Sequence, residues 1–433
     1  MRRRISFGLA ALAGAVAVVL GAAWPGGVAP ARSPAAVDVA LLVEQLSAGS
    51  SRSVVRRLER AVAARPDARS LALLGLGYQQ LARETGDAAW LTRAREALRR
   101  AAHADPTDPV AVAGLAQLAV TLHRFRAALS LARRALALEP GNALALGALG
   151  DAQLASGRHA DAFRTYDRLA ARGPSVGAYA RVATARRLRG DPAGALDAME
   201  LALEAGSGIP EQEAWALARY GTLLAGRGRL QEAERAYRRS LELAPGYVHG
   251  EAGLARVAAA RGRFAEAEAR LERVVARLPL PEYAVLLGDI RARAGRAREA
   301  RRAYALVSTL ERLLEANGVR TELATALFDL DHGVRPRRAL ARARSAYRAA
   351  PSLAAADAVA WGLYRTGRCA EARTWSQRAL ALGTKDGLFL FHRGLIERCL
   401  GGAAAGRPWF RRALAAEPTF SLRWAPLAEK LAS

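Results

Sequence analysis

Six histidines, His103, His123, His159, His249, His332 and His392, are the residues of this 433-residue chain best suited to hold a metal or move a proton. They are scattered, and no two stand at the spacing with which a helix or loop presents paired metal ligands. His332 follows Asp331 and could form a polar pair with it, but an ordinary loop histidine accounts for the same two residues. The H-E-x-x-H, Walker and G-x-S-x-G motifs are all missing. Gly75-Leu76-Gly77-Tyr78 resembles a phosphate loop only faintly, because the run around it has helical and not strand character. Two cysteines, Cys369 and Cys399, exclude a four-cysteine zinc site and a disulfide-rich scaffold. Catalysis needs converging groups, and the sequence offers none. The expectation is a protein that is not an enzyme, with no catalytic residue, no metal and no cofactor.

The elements that carry these residues are apolar and basic. Apolar residues make up 52% of the chain, too many for a disordered polymer and too evenly spread for a polytopic membrane protein. The formal charge is +25, from 65 Lys+Arg against 40 Asp+Glu. Only Lys385 and Lys430 are lysines, and Asn occurs only at 142 and 317. That skew matches a high-G+C coding bias, so part of the charge is compositional background. The rest still makes a positive field that attracts polyanions.

The amino terminus reads as an export signal. Arg2, Arg3 and Arg4 precede an uncharged run from Ile5 to Trp24, and Ala29-Pro30-Ala31 supplies small residues at the positions a signal peptidase reads. Residues 1–31 are therefore expected to be a cleaved signal peptide or an uncleaved membrane anchor, since about 20 apolar residues just span a bilayer. Either way the following chain would be extracytoplasmic, secreted or tethered to the membrane. Residues 32–36 read as a linker.

Beyond residue 36 one unit recurs. Leu74-Gly75-x2-Tyr78 opens a copy that Ala94, Leu98, Ala101 and Pro106 close, with about seven extra residues between. Leu149-Gly150, Gly157, Ala162, Tyr166, Leu169 and Pro174 make a complete one. Prolines 106, 140 and 174, and again 245 and 279, are 34 residues apart. The pattern resembles the tetratricopeptide repeat family over nearly everything after residue 35, in about ten copies. Departures are the insertion in the first full copy, the missing proline after Tyr304, and Gly406 where the last copy should carry Ala. The resemblance implies an all-α, right-handed superhelical solenoid of helix-turn-helix repeats, preceded by the signal or anchor helix. Its expected parts are a degenerate repeat at 37–66, the solenoid at 67–419 and a capping helix at 420–433. Physically, one amphipathic helix pair cannot bury its own apolar face, so neighbours must stack.

The resemblance also implies a concave groove that binds peptide or protein partners. Its inner face should present Gln79, Gln117, Asp151, Arg187, Trp215, Arg256, Asp289 and Arg293, and near the carboxyl end Phe328, Trp361, Tyr364, Arg365 and Phe391. Exposed Trp, Tyr and Arg are what peptide hot spots are made of, although the same aromatics could pack between helices. The lysine-based carboxylate clamp of some relatives is excluded by the position of both lysines. A second pattern, Arg60, Arg100, Arg134, Arg168, Arg239, Arg273, Arg378 and Arg412, should align as a basic stripe on the outer surface. It reads either as a solvated face or as a track for an anionic polymer or lipid surface. Nucleic acid is an unlikely partner for an exported chain. The expected function is a non-catalytic interaction scaffold outside the cytoplasmic membrane, or alternatively a binder of anionic envelope polymer through the stripe. Cys369 and Cys399, at the same edge of adjacent layers, form a possible disulfide in that oxidising setting.

Overall fold

The repeat pattern demands pairs of antiparallel helices, and the computed structural model, which describes residues 51–433, is built of them. The signal or anchor, the linker and residues 37–50 of the degenerate repeat lie outside the described residues. Twenty-one helices follow one another without an intervening strand among the described residues. α1 (Ser51–Ala64) is the described part of the degenerate repeat. The pairs are α2 (Ala68–Thr85) with α3 (Ala89–Ala104), α4 (Pro109–Thr121) with α5 (Phe125–Leu138), α6 (Ala143–Ala155) with α7 (His159–Arg172), and α8 (Val176–Leu188) with α9 (Pro192–Gly206). They continue as α10 (Pro210–Gly226) with α11 (Leu230–Leu243), α12 (Val248–Ala260) with α13 (Phe264–Arg277), and α14 (Pro281–Arg293) with α15 (Ala297–Ala316). Then come α16 (Glu322–Asp331) with α17 (Pro336–Ala349) and α18 (Leu353–Arg365) with α19 (Cys369–Ala379). The tenth pair is the two halves of α20 (Gly387–Ala416), which breaks at Gly401 and Gly402. α21 (Ala425–Ala432) caps the end, within the segment expected to do so.

Small residues set how closely the pairs pack. Tyr166 of α7 packs on Gly150 of α6, where a β-carbon would come within 2.4 Å of the ring. Tyr304 of α15 covers Gly288 of α14 in the same way. Each tyrosine hydroxyl then donates to the aspartate following its glycine: Tyr166 to Asp151 at 3.0 Å and Tyr304 to Asp289 at 2.8 Å. Helix starts are capped where the sequence allows, as by Asn142, Ser175 and Ser352, whose side chains accept backbone N–H groups.

Two departures from the repeat pattern have visible consequences. The extra residues of the first copy do not form a loop. They lengthen both helices, with α2 reaching 18 residues against 13 for α6 and α3 reaching 16 against 14 for α7. Where no proline follows Tyr304, α15 runs on to 20 residues before it stops at Asn317. That overrun matters for the fold, because its end touches the first half of the chain.

The stack curls until it meets itself. Arg320 N–H donates to Leu122 C=O at 3.3 Å, and His123 Nδ1 lies 2.7 Å from Arg320 C=O. Arg95 and Thr92 bond the carbonyl and side chain of Asn317, each at 3.0 Å. Gly157 lies against Pro351 and Gly190 against Gly383. Arg187 pairs with Asp386 at 3.1 Å, and the Thr419 hydroxyl donates to Ala225 C=O at 2.7 Å. The partners are 194 to 199 residues apart at three of these points, which is between five and six repeats of about 34 residues. The within-repeat turns of the first half thus lie along the between-repeat turns of the second. We call this line of contacts the seam.

The seam gives a test of the closure. Gly190 sits at φ +72°, and a β-carbon there would strike the Gly383 carbonyl. Gly190→Val should cost roughly 1–2 kcal/mol for the left-handed backbone alone and push the two turns apart. Faster hydrogen exchange should appear around both Gly190 and Gly383. Exchange that quickens only around Gly190 would show that the seam does not hold the halves together.

Candidate functional site: the cavity inside the seam

Closing the seam turns the concave face into a cavity of about 1000 Å³. First helices of the middle repeats supply one wall, through Thr184 and Arg187 of α8, Arg219 and Thr222 of α10, and Arg256 of α12. The other wall comes from the second half: Asp289 of α14, Glu311 of α15, and Asp331 and His332 at the end of α16. Apolar side chains, among them Val257, Leu286, Val307 and Phe328, fill the space between. The second half also contributes the basic Arg320 and Lys385, so both charges line the cavity.

Burial and neighbours shape these groups. Burial, followed by repulsion from Arg187, pulls the Arg219 guanidinium below its usual range. No carboxylate pairs with Arg219 or Arg256 among the described residues, and the contact Arg219 does make is with the Trp215 ring, 5.9 Å away. Tyr237 lies within the electrostatic reach of both arginines; burial raises its phenol, and its hydroxyl contacts Thr222 at 3.2 Å. Burial also raises Glu311. His332 is no plain loop residue: it sits 4.4 Å from the Tyr304 and Phe328 rings, with Nε2 3.6 Å from Asp289.

Of the residues expected on the inner face, Arg187, Arg256, Asp289 and Phe328 line the cavity. Gln79 is 2% exposed and donates to Gly114 C=O instead. Gln117 and Trp215 are partly buried outside the cavity lining. Asp151 accepts from the Tyr166 hydroxyl and from Nη2 and Nε of Arg181, at 2.8 and 2.9 Å. Arg293 lies over Phe264 at 5.9 Å. Arg219, which the sequence reading passed over in favour of Trp215, is one helical turn further along the same face; counting back from Gly228 would have found it.

The aromatic end of the expected groove needs correction. Trp361 is 1% exposed and Phe391 is not exposed at all; both belong to the core beneath α21, not to an open face. Trp361 stacks on Tyr364 at 5.1 Å and on His392 at 4.2 Å, and its indole N–H donates to Asp331. Arg365 covers Trp361 and donates to Leu330 C=O at 2.7 Å. The capping helix is the reason: Trp424 closes over this cluster and donates to the same Asp331 oxygen at 3.1 Å. Trp361→Ala should therefore act on stability, by roughly 3–5 kcal/mol, read as a shift in a denaturation midpoint. A variant that kept its stability would return Trp361 to an exposed role.

Under the same cluster His392 and Asp357 form a fully buried pair, 2.9 Å apart. Burial pushes His392 down, but the Asp357 carboxylate outweighs it and holds the imidazole above its ordinary value. Burial raises Asp357 as well. Both folded-state values are thus raised, so the native protein holds protons that the unfolded chain releases, and this contribution is lost as pH rises past about 6.5. Unfolding free energy should fall from pH 6.5 to pH 9, with a shallower slope in His392→Gln. A slope unchanged by that substitution would contradict the assignment.

All eight stripe arginines are exposed on second helices. Several are tied to the protein itself. Arg134 and Arg168 donate to Pro106 and Pro140 carbonyls of the preceding repeat at 2.6 and 2.7 Å. Arg239 pairs with Glu242 at 3.0 Å, and Arg273 caps Ala269 C=O. Arg378 and Arg412 lie over Trp375 and Trp409 at 4.5 and 4.4 Å. Arg60 leans back on Arg56 C=O, while Arg100 is simply exposed. Cys369 and Cys399 are bonded, with Cα atoms 6.3 Å apart, and fasten α19 to α20.

Comparison with known proteins finds the tetratricopeptide repeat in two stretches of the chain. Tetratricopeptide repeat models match residues 114–177 and 224–290. A search of the curated proteins finds no match. Among solved structures, human IFIT1, as a dimer with PPP-AAAA, is 16% identical over 77% of this chain and 78% of its own, with a TM-score of 0.45. YrrB, described as a TPR protein with an unusual peptide-binding site, is 20% identical over 42% of this chain and 92% of its own, with a TM-score of 0.29. Pseudomonas aeruginosa pilF is 20% identical over 49% of this chain and 92% of its own, with a TM-score of 0.35.

Proposed function

The chain is a tetratricopeptide repeat protein, and from that premise we propose that it is a non-catalytic interaction scaffold that holds an extended segment of a partner protein in its central cavity. One observation carries the reading. The concave face, open in a shallow solenoid, is here narrowed by the seam contacts to a partly open cavity of about 1000 Å³, lined by apolar side chains and by groups of both charges. An extended strand or chain terminus fits such a space, and apolar residues with a few placed charges are what a binding site requires.

The export-like amino terminus and the Cys369–Cys399 bond support placing this scaffold outside the cytoplasmic membrane. Outer-stripe binding to an anionic polymer or lipid gains little, because Arg134, Arg168 and Arg239 already have partners within the protein. Selection of random dodecapeptides on the full chain tests the proposal. Ala260, exposed to the cavity from α12, offers a plug. Ala260→Trp should weaken the selected peptides tenfold or more, whereas Arg100→Gln with Arg134→Gln on the outer face should leave them unchanged. The reverse pattern would move binding to the outer surface.

A further inference from the structure

We infer that the chain occupies part of its own binding face: residues 417–422, between α20 and α21, form a strap across the concave side, and a partner segment binds by displacing it. The inference rests on the reading of the cavity as the partner site and names what controls access to it.

After Pro418 the chain has no further repeat to enter. Eight residues, Glu417 to Trp424, run without helix before α21 begins. Their base is fixed in the last repeat, where the Gly387 N–H donates to Glu417 at 2.9 Å and the Phe420 ring lies 5.6 Å from Phe391. Their far contacts reach the middle of the chain. Pro418 packs on Gly228, and the Thr419 hydroxyl donates to Ala225 C=O in the last turn of α10. Leu422 packs against the core that α12, α13 and α14 share. Glu417, Thr419, Phe420, Ser421 and Leu422 line the same cavity as Leu286. A non-helical piece of polypeptide thus lies on the face proposed to hold one.

The other rungs of the seam show why this one can lift. Gly157 meets Pro351 and Gly190 meets Gly383, and each of those second-half turns is held between two complete helix pairs. Pro418 has a pair on one side and only the eight residues of α21 on the other. Thr419, Phe420, Ser421 and Leu422 are half-buried, and Pro418 is exposed. Few buried contacts mark a segment that opens locally. Trp424 donates to Asp331 and closes over Trp361, which anchors α21 separately, so the strap can leave the α10 turn while the cap stays. A tethered occupant competes at an effective concentration of about millimolar for a short tether, and the affinity of any partner falls by the fraction of chains in which the strap is lifted. The strap's own contacts state the chemistry that replaces it: a hydroxyl for the α10 carbonyl and, three residues on, a large aliphatic side chain.

The test uses a fluorescently labelled octapeptide with the sequence of residues 417–424, titrated into the full chain by anisotropy. Two variants loosen the strap from opposite sides. Thr419→Ala with Leu422→Ser acts within it; Gly228→Ala acts beneath it, where a β-carbon would come 2.9 Å from Pro418 Cγ. Both should bind the octapeptide at least tenfold tighter than the unsubstituted chain. Gly262→Ala is the control, because Gly262 has φ +76° against +75° for Gly228 but nothing within 4 Å of its β-carbon position. It should bind no tighter than the unsubstituted chain. Equal binding by all four proteins, a gain in only one of the two strap variants, or an equal gain in Gly262→Ala would overturn the strap. Those results leave the cavity reading to the selected dodecapeptides. If the strap variants gain as expected while those dodecapeptides ignore Ala260→Trp, the cavity reading falls and displacement by a partner falls with it.

Discussion

The contact between a second-helix aromatic ring and a first-helix glycine sets the geometry of this protein. Tyr166 on Gly150, Tyr304 on Gly288 and Phe410 on Gly394 repeat one arrangement in which the ring takes the volume of a missing side chain. The two backbones of a pair come together there, while bulkier residues hold them apart elsewhere. Such an uneven wedge, repeated along a stack, produces curvature. Each unit contacts mainly its neighbours, so small angular steps add without correction until the chain meets itself. The seam is the sum of those steps.

This accumulation explains which features were legible in the sequence. Helix pairs, their order and the cap were readable because each depends on residues within one or two repeats. Pro106, Pro140 and Pro174 mark unit ends locally, and a family model match spans the last two of them. The pairing of Arg187 with Asp386 was not readable, because a 199-residue separation reflects the angles of all intervening pairs. A missing proline after Tyr304 was seen as a flaw in the pattern. Its effect, a longer α15 that delivers Asn317 and Arg320 to the first half, emerges only once curvature brings that half near.

The candidate site was legible to the same limited depth. Counting positions along first helices places Arg187, Arg256 and Asp289 on the inner face, and they line the cavity. The same counting puts Trp361 and Phe391 there too, yet both are covered. Inner-face position and exposure coincide only where nothing lies over the helix, and near the carboxyl end Trp424 and α21 do. Composition was a poor guide for a related reason. Aromatics concentrated in the last repeats because a terminal core must be closed by something other than another repeat, and large rings close it.

Enclosure then separates two roles that an open solenoid merges. On an outer surface, an arginine such as Arg134 can settle on a carbonyl of the preceding repeat and lose little hydration. Facing the cavity, Arg219 is also exposed, and its contact is with the Trp215 ring at 5.9 Å. The same residue type, abundant for compositional reasons across the chain, therefore settles on its own backbone on one face and lines the cavity on the other. Stripe arginines outnumber those of the cavity wall, but number does not create affinity where each charge is already solvated or paired.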